Sequence, residues 1–122
     1  WPEGLGLSLR RLRDELPGRP LLVAEMGTGA PTDQDDDAWR TDLLRDNVAQ
    51  VAEAIEDGCD VRGIFHWTAV DNYEWSFGYD VAFGLIDRDR NPKPSALLAA
   101  SFAAGSAGRG GADTLEETII DG

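Results

Sequence analysis

The chain has 122 residues, a hydrophobic content of 42% and a formal net charge of −12, which bounds it to one domain with enough apolar material for a core. The acidity rules against nucleic acid, whose phosphates call for Lys and Arg, and against docking on anionic membranes. One His and one Cys supply neither a closed zinc site nor an internal disulfide.

Leu5, Leu9, Leu12 and Leu16 recur at helical spacing and predict a helix over 4–16, ended by Pro17 and Gly18. The short apolar run Leu21-Leu22-Val23-Ala24, entered from that helix and flanked by Pro20 and Gly27, reads as a buried parallel strand whose last residue is Glu25. Residues 26–37 are rich in Gly, Thr, Pro and Asp and read as a loop. Asp35, Asp36 and Asp37 suit the positive end of the helix that follows, over 37–57. Its apolar stripe is Leu44, Val48, Val51 and Ile55, and Gly58 is its natural C-cap. Cys59, between Gly58 and Asp60, reads as a small structural residue as readily as a reactive one.

A second strand is expected over 61–67, then a polar, aromatic-rich segment over 68–83 and a short extended piece over 84–87. Pro94 opens a last helix to about Ala104, with Leu97, Leu98 and Phe102 on its buried side. From Gly105 the composition shifts to Gly, Ala, Ser and acidic residues, read as a flexible tail over 105–122. No run approaches the roughly 20 apolar residues of a membrane helix. Because the chain begins at Trp1 rather than Met, the lack of a visible export signal carries little weight; with a single Cys, the expected compartment is the cytoplasm.

The order helix, strand, helix, strand, helix is the repeating unit of a parallel α/β fold. It does not by itself separate a barrel from a doubly wound sheet. Two strands cannot close a barrel, and their free edges make a poor domain alone. Partner strands are therefore expected outside these residues.

The unusual side chains fall at strand ends. Glu25 ends the first strand, His66 and Trp67 end the second, and Glu74 and Trp75 follow in its loop. In a β/α barrel such ends share one opening. Carboxylates accept hydrogen bonds from hydroxyls, and indole faces pack on the C–H faces of sugar rings. Taken singly, each residue has a plainer reading: a strand-end Glu is usually a cap or surface residue, and a strand-end Trp is usually core.

Several motifs agree on more. Leu21-Leu22-Val23-Ala24-Glu25-Met26-Gly27 resembles the nucleophile strand of glycoside hydrolase family 1, "I/V-T/A-E-N-G". The segment from Asp57 to Trp67 resembles that family's "DGVDVRGYFxWS", and Asp71-Asn72-Tyr73-Glu74-Trp75 its "DNFEW". Gly78-Tyr79, Phe83-Gly84-Leu85 and Pro92-Lys93-Pro94-Ser95 resemble its "GY…RFGL…PKxS" ending, and Pro2-Glu3-Gly4-Leu5 its "PxGL". The resemblance covers residues 1–104 in order.

It implies an α/β fold, the C-terminal quarter of a (β/α)8 TIM barrel: strands seven and eight with their helices. It further implies that Glu25 is the nucleophile of a retaining β-glycosidase. Trp67 is then the platform under the sugar, Glu74 the carboxylate holding remote hydroxyls, Trp75 its neighbour in that contact, and Phe83 a wall of the subsite. The reaction calls for no cofactor, and the implied ligand is a small-molecule β-glycoside. The family's acid/base carboxylate lies in an "N-E-P" motif that this chain lacks. It is expected upstream in the parent protein, with the remaining barrel strands, so the isolated fragment is expected to be inactive.

Two positions depart from the pattern. Met26 replaces the Asn after the nucleophile, which reduces polar support at the strand end, and Ala82 stands where an Arg often precedes Phe83. A carboxylate at Glu74 would repel a 6-phosphosugar, so the expected substrate is an unphosphorylated glycoside. The competing readings are a non-catalytic truncated remnant and a fragment that needs a complementing chain.

Overall fold

The computed structural model describes residues 1–32 and 37–110, and side chains as far as Gly105. Three helices and four strands follow in the order α1 (Glu3–Glu15), β1 (Leu21–Met26), β2 (Ala30–Pro31), α2 (Ala38–Glu56), β3 (Val61–His66), β4 (Val81–Ala82) and α3 (Pro94–Gly110). β1 and β3 pair in parallel, joined through α2, because parallel neighbours need a long crossover connection.

The helices pack on one face of this pair. Leu9 of α1, Leu44, Val51 and Ala54 of α2, and Val23, Met26 and Cys59 form the buried core, with Leu5, Val48, Ile64, Leu98 and Phe102 packed against it. Each fully buried Leu or Val contributes about 1.5–3 kcal/mol. α2 ends where Gly58 adopts φ +93° and Cys59 N–H donates to the Ala54 carbonyl at 2.9 Å, the left-handed cap glycine permits. Arg10 of α1 pairs with Asp57 at 2.6 Å, at the far end of α2. Both partners are partly exposed, so this pair adds at most about 1 kcal/mol.

Four expectations change. Residues 26–37 are not loop throughout: Ala30–Pro31 pairs antiparallel with Val81–Ala82, a contact between segments too short to carry a period. Leu97 is not on the buried side of α3 but 67% exposed. Leu98 and Phe102 are four apart and share a face, whereas Leu97 points about 100° away from Leu98. Leu12, Leu16 and Ile55, at the ends of their expected stripes, are likewise exposed. Finally, α3 runs to Gly110 rather than stopping near Ala104, since the alanines there favour helix despite Gly105 and Gly108. Asp35, Asp36 and the rest of the expected tail, 111–122, lie outside the described residues.

The second face of the β1–β3 pair is bare. Leu22 is 57% and Phe65 59% exposed, while their neighbours Val23 and Ile64 sit in or against the core. Parallel sheets are covered on both faces. Here one face of the pair is apolar and open among the described residues.

Candidate active site

Glu25 reaches the open side through an irregularity of its strand. Alternation would place Glu25 on the same face as buried Val23. The register between β1 and β3 instead shifts between Val23 and Met26, so two exposed residues, Ala24 and Glu25, separate two buried ones. Such a break re-aims a side chain and is common beside active sites. Met26 takes the buried position, packed in the core, while its carbonyl accepts the Trp67 N–H at 2.9 Å. The position where the motif has Asn is thus filled by an apolar side chain directed at the helix layer.

Glu25 and Trp67 therefore stand at adjoining strand ends. Gly27 lets them do so: a Cβ there would run into the Trp67 carbonyl oxygen. Gly27→Ala is expected to push the two strand ends apart and to lower the urea midpoint of the whole protein, because backbone must move to admit the Cβ. Urea unfolding is the check, and an unchanged midpoint would refute the close packing. The Trp67–Thr68 peptide is cis.

Phe83 joins the same end. Its ring lies against Gly29, where a Cβ would come within 2.6–2.7 Å of ring atoms. Its carbonyl accepts from Thr68 N at 3.3 Å, and Leu85 N donates back to the Thr68 carbonyl at 2.9 Å. Between these segments the chain folds a tight turn, with Glu74 N to Gly78 O at 2.7 Å and Gly78 N to Glu74 O at 2.8 Å. Gly78 holds φ +61° there. Glu74 Oε1 is buried with no hydrogen-bond partner among the described residues. A buried carboxylate oxygen without a partner is costly, which marks it as poised for a donor from elsewhere. Trp75, at the tip of the turn, is 97% exposed. Glu25, Trp67 and Phe83 are thus brought to one end, while Glu74 lies on the loop between Trp67 and Phe83 and the Trp75 indole projects away from the protein. Tyr73 and Tyr79 pack edge to face at 5.3 Å under that loop, and Arg88 lies over the Tyr79 ring.

Behind the site runs a charged frame that the motifs did not reveal. Arg40, 4% exposed, donates to the carbonyls of Thr28 (3.1 Å), Phe83 (2.7 Å) and Gly84 (3.1 Å) and pairs with Asp37 at 2.9 Å. Asp37 makes no capping hydrogen bond to its own helix backbone. Its other oxygen accepts Ser95 N, at the start of α3, at 2.8 Å. Lys93 reaches both oxygens of Asp71 at 2.9 and 2.7 Å, and Asp71 also accepts Gly84 N at 2.6 Å. An Arg four residues into a run of acidic and apolar residues is an unremarkable sequence feature; only the fold gathers three carbonyls around it.

His66 faces this frame. Burial pushes its imidazole below the ordinary value and the Arg40 guanidinium pushes the same way, against the Phe83 carbonyl and the Asp37 carboxylate. The unfolded chain therefore takes up a proton before the folded one does. Stability tied to neutral His66 is complete above the ordinary imidazole value and declines as pH falls below it, until the lowered folded value is passed. The urea midpoint of the whole protein is expected to fall less between about pH 7 and about pH 5 in His66→Gln than in the wild type; equal slopes would refute this.

Comparison with known proteins fits this geometry. The sequence profile of Glycosyl hydrolase family 1 matches residues 1–102. A bifunctional β-D-glucosidase/β-D-fucosidase of Bifidobacterium breve is 45% identical over 95 residues, 69% of this chain and 20% of that protein. Beta-glucosidase 42 of Arabidopsis thaliana is 33% identical over 117 residues, 85% of this chain and 24% of that protein. Among solved structures, a β-glycosidase from Pyrococcus horikoshii superposes with a TM-score of 0.74 at 37% identity, covering 84% of this chain and 24% of its own. A family 1 β-glucosidase from Thermotoga maritima gives 0.75 at 25% identity, covering 85% and 26%. The chain thus spans about a fifth to a quarter of the length of the relatives it matches.

Proposed function

The chain belongs to glycosyl hydrolase family 1, and on that premise we propose that it forms the seventh and eighth strand–helix units of a TIM-barrel β-glycosidase, with Glu25 as the nucleophile. The observation that carries this reading is the displaced register of β1, which turns Glu25 out beside Trp67 on the open face of the sheet.

In the proposed reaction the Glu25 carboxylate attacks the anomeric carbon as the bond to the aglycone oxygen breaks. A second carboxyl group, about 5–5.5 Å away, protonates the leaving oxygen. That group belongs to the part of the barrel outside these residues. Water, deprotonated by the same group, then attacks the glycosyl ester, releasing Glu25 and a sugar of retained configuration. Trp67 floors the sugar, Phe83 walls it, and Glu74 accepts its remote hydroxyls. Trp75 is assigned as the neighbour of Glu74 in that contact. Following anomer formation by proton NMR on the whole protein with an aryl β-glucoside tests the reading: the β-sugar must appear first, and first appearance of the α-sugar would overturn it.

Glu74 sets the substrate class. Its unpartnered buried oxygen suits hydroxyl donors and repels phosphate. In a panel of aryl β-glucoside, β-fucoside and 6-phospho-β-glucoside, the phosphorylated sugar is expected to be the poorest. Glu74→Gln is expected to raise KM for the glucoside by about tenfold, the worth of one charge-assisted hydrogen bond. A preference for the phosphosugar would reverse the assignment.

The bare β1–β3 face also supports a second arrangement, in which another chain supplies the remaining strands. Size-exclusion chromatography of the 122-residue chain, alone and with separately expressed upstream segments, distinguishes the two.

A further inference from the structure

Between the end of β3 and the start of α3 lies a small cavity of about 10 Å3, lined by Met26, Arg40, Leu44, Asn47, His66 and Ser95 among others. Ser95 is 1% exposed. Its backbone N–H is taken by Asp37, but its hydroxyl has no partner among the described residues, and neither ring nitrogen of His66 has one. A buried hydroxyl left unsatisfied costs about 1–3 kcal/mol. Native proteins rarely carry several such atoms around one void.

We propose that one internal water molecule is a fixed part of this structure, held between Ser95 Oγ and an imidazole nitrogen of His66. The volume is at the lower limit for one water, and the Ser95 hydroxyl and the His66 ring supply the polar partners that a hydrated cavity needs. Water offers two donors and two acceptors. A neutral imidazole offers one of each and the serine hydroxyl both, so a single molecule satisfies Ser95 and one ring nitrogen whichever tautomer is present. The lowered imidazole affinity for protons is consistent with this neutral partner.

The water has a structural consequence. Arg40 and Asp37 already join the loop after β1, the Phe83–Gly84 segment and the start of α3. His66, the last residue of β3, lies near the Phe83 carbonyl of that frame, but neither ring nitrogen meets a protein partner in good hydrogen-bond geometry among the described residues. The water supplies the link, tying the strand that delivers Trp67 to the first turn of α3. This inference does not depend on the proposed reaction.

A crystal structure of the whole protein at a resolution that shows ordered solvent tests it. The expected result is a single water within about 3.2 Å of both Ser95 Oγ and a His66 ring nitrogen. A dry cavity, or both ring nitrogens bonded directly to protein groups with no water between, would overturn it. A double-mutant cycle with His66→Ala and Ser95→Ala reads the link in solution without requiring activity. The two effects on the unfolding constant are expected to be non-additive by about tenfold. Additivity within about twofold would show that the two side chains are not joined through a shared water.

Discussion

Glu25→Ala in the whole enzyme is expected to lower kcat for an aryl β-glucoside by on the order of 10^4-fold or more, with little change in melting temperature. The loss is large because, in the proposed reaction, the carboxylate forms the covalent intermediate. At about 1.36 kcal/mol per decade, it corresponds to about 5 kcal/mol of barrier. Stability changes little because Glu25 is exposed and makes no hydrogen bond or ion pair in the described structure beyond its strand's backbone pairing. The smaller side chain also leaves room for an external anion. Azide is expected to restore turnover of a substrate with a good leaving group and to yield the α-glycosyl azide, because attack from the nucleophile's side inverts the centre. Glu74→Ala is not expected to respond to azide, since Glu74 is assigned to hydroxyl binding. Activity of Glu25→Ala within about tenfold of wild type would remove Glu25 from the nucleophile's role.

The elements were legible where sequence period and breakers are strong. The leucines of α1, the stripe of α2 with Gly58 behind it, and Pro94 at the head of α3 all carry local signals that tertiary contacts did not override. The site was legible only as motifs. Glu25, Trp67 and Phe83 could be named, but the register break that turns Glu25 outward could not, because an irregularity in strand pairing exists between two segments far apart in sequence. β2 and β4 failed for the same reason, each being too short to show alternation. Leu97 is exposed because its angular position on α3, not its apolarity, decides its burial. Asp37 does stand at the N-terminus of α2, but the sequence gives no sign that its carboxylate also binds Arg40 and Ser95. Charge placement in sequence tells which field a residue sits in, whereas its partners are chosen by the fold.

Arg40→Met is expected to be the most destabilising single change in the frame behind the site, at about 3–5 kcal/mol. The substitution keeps an apolar stem but strips four contacts at once. The carbonyls of Thr28, Phe83 and Gly84 lose their donor, and Asp37 is left a buried anion held by Ser95 N–H and Thr41 Oγ. Arg40→Lys is expected to recover little, because one ammonium cannot span carbonyls that the planar guanidinium reaches in a fork. Asp37→Ala combined with Arg40→Met is expected to cost less than the sum, since removing both charges relieves the stranded carboxylate. Urea unfolding of the whole protein gives these differences directly. Activity should fall alongside, because Thr28 follows Gly27 and Phe83 is the proposed wall of the sugar subsite, so slack in the frame reaches both sides of the proposed pocket. A loss of under about 1 kcal/mol for Arg40→Met would mean that the three carbonyls find other donors, and that the frame does not hold the strand ends in place.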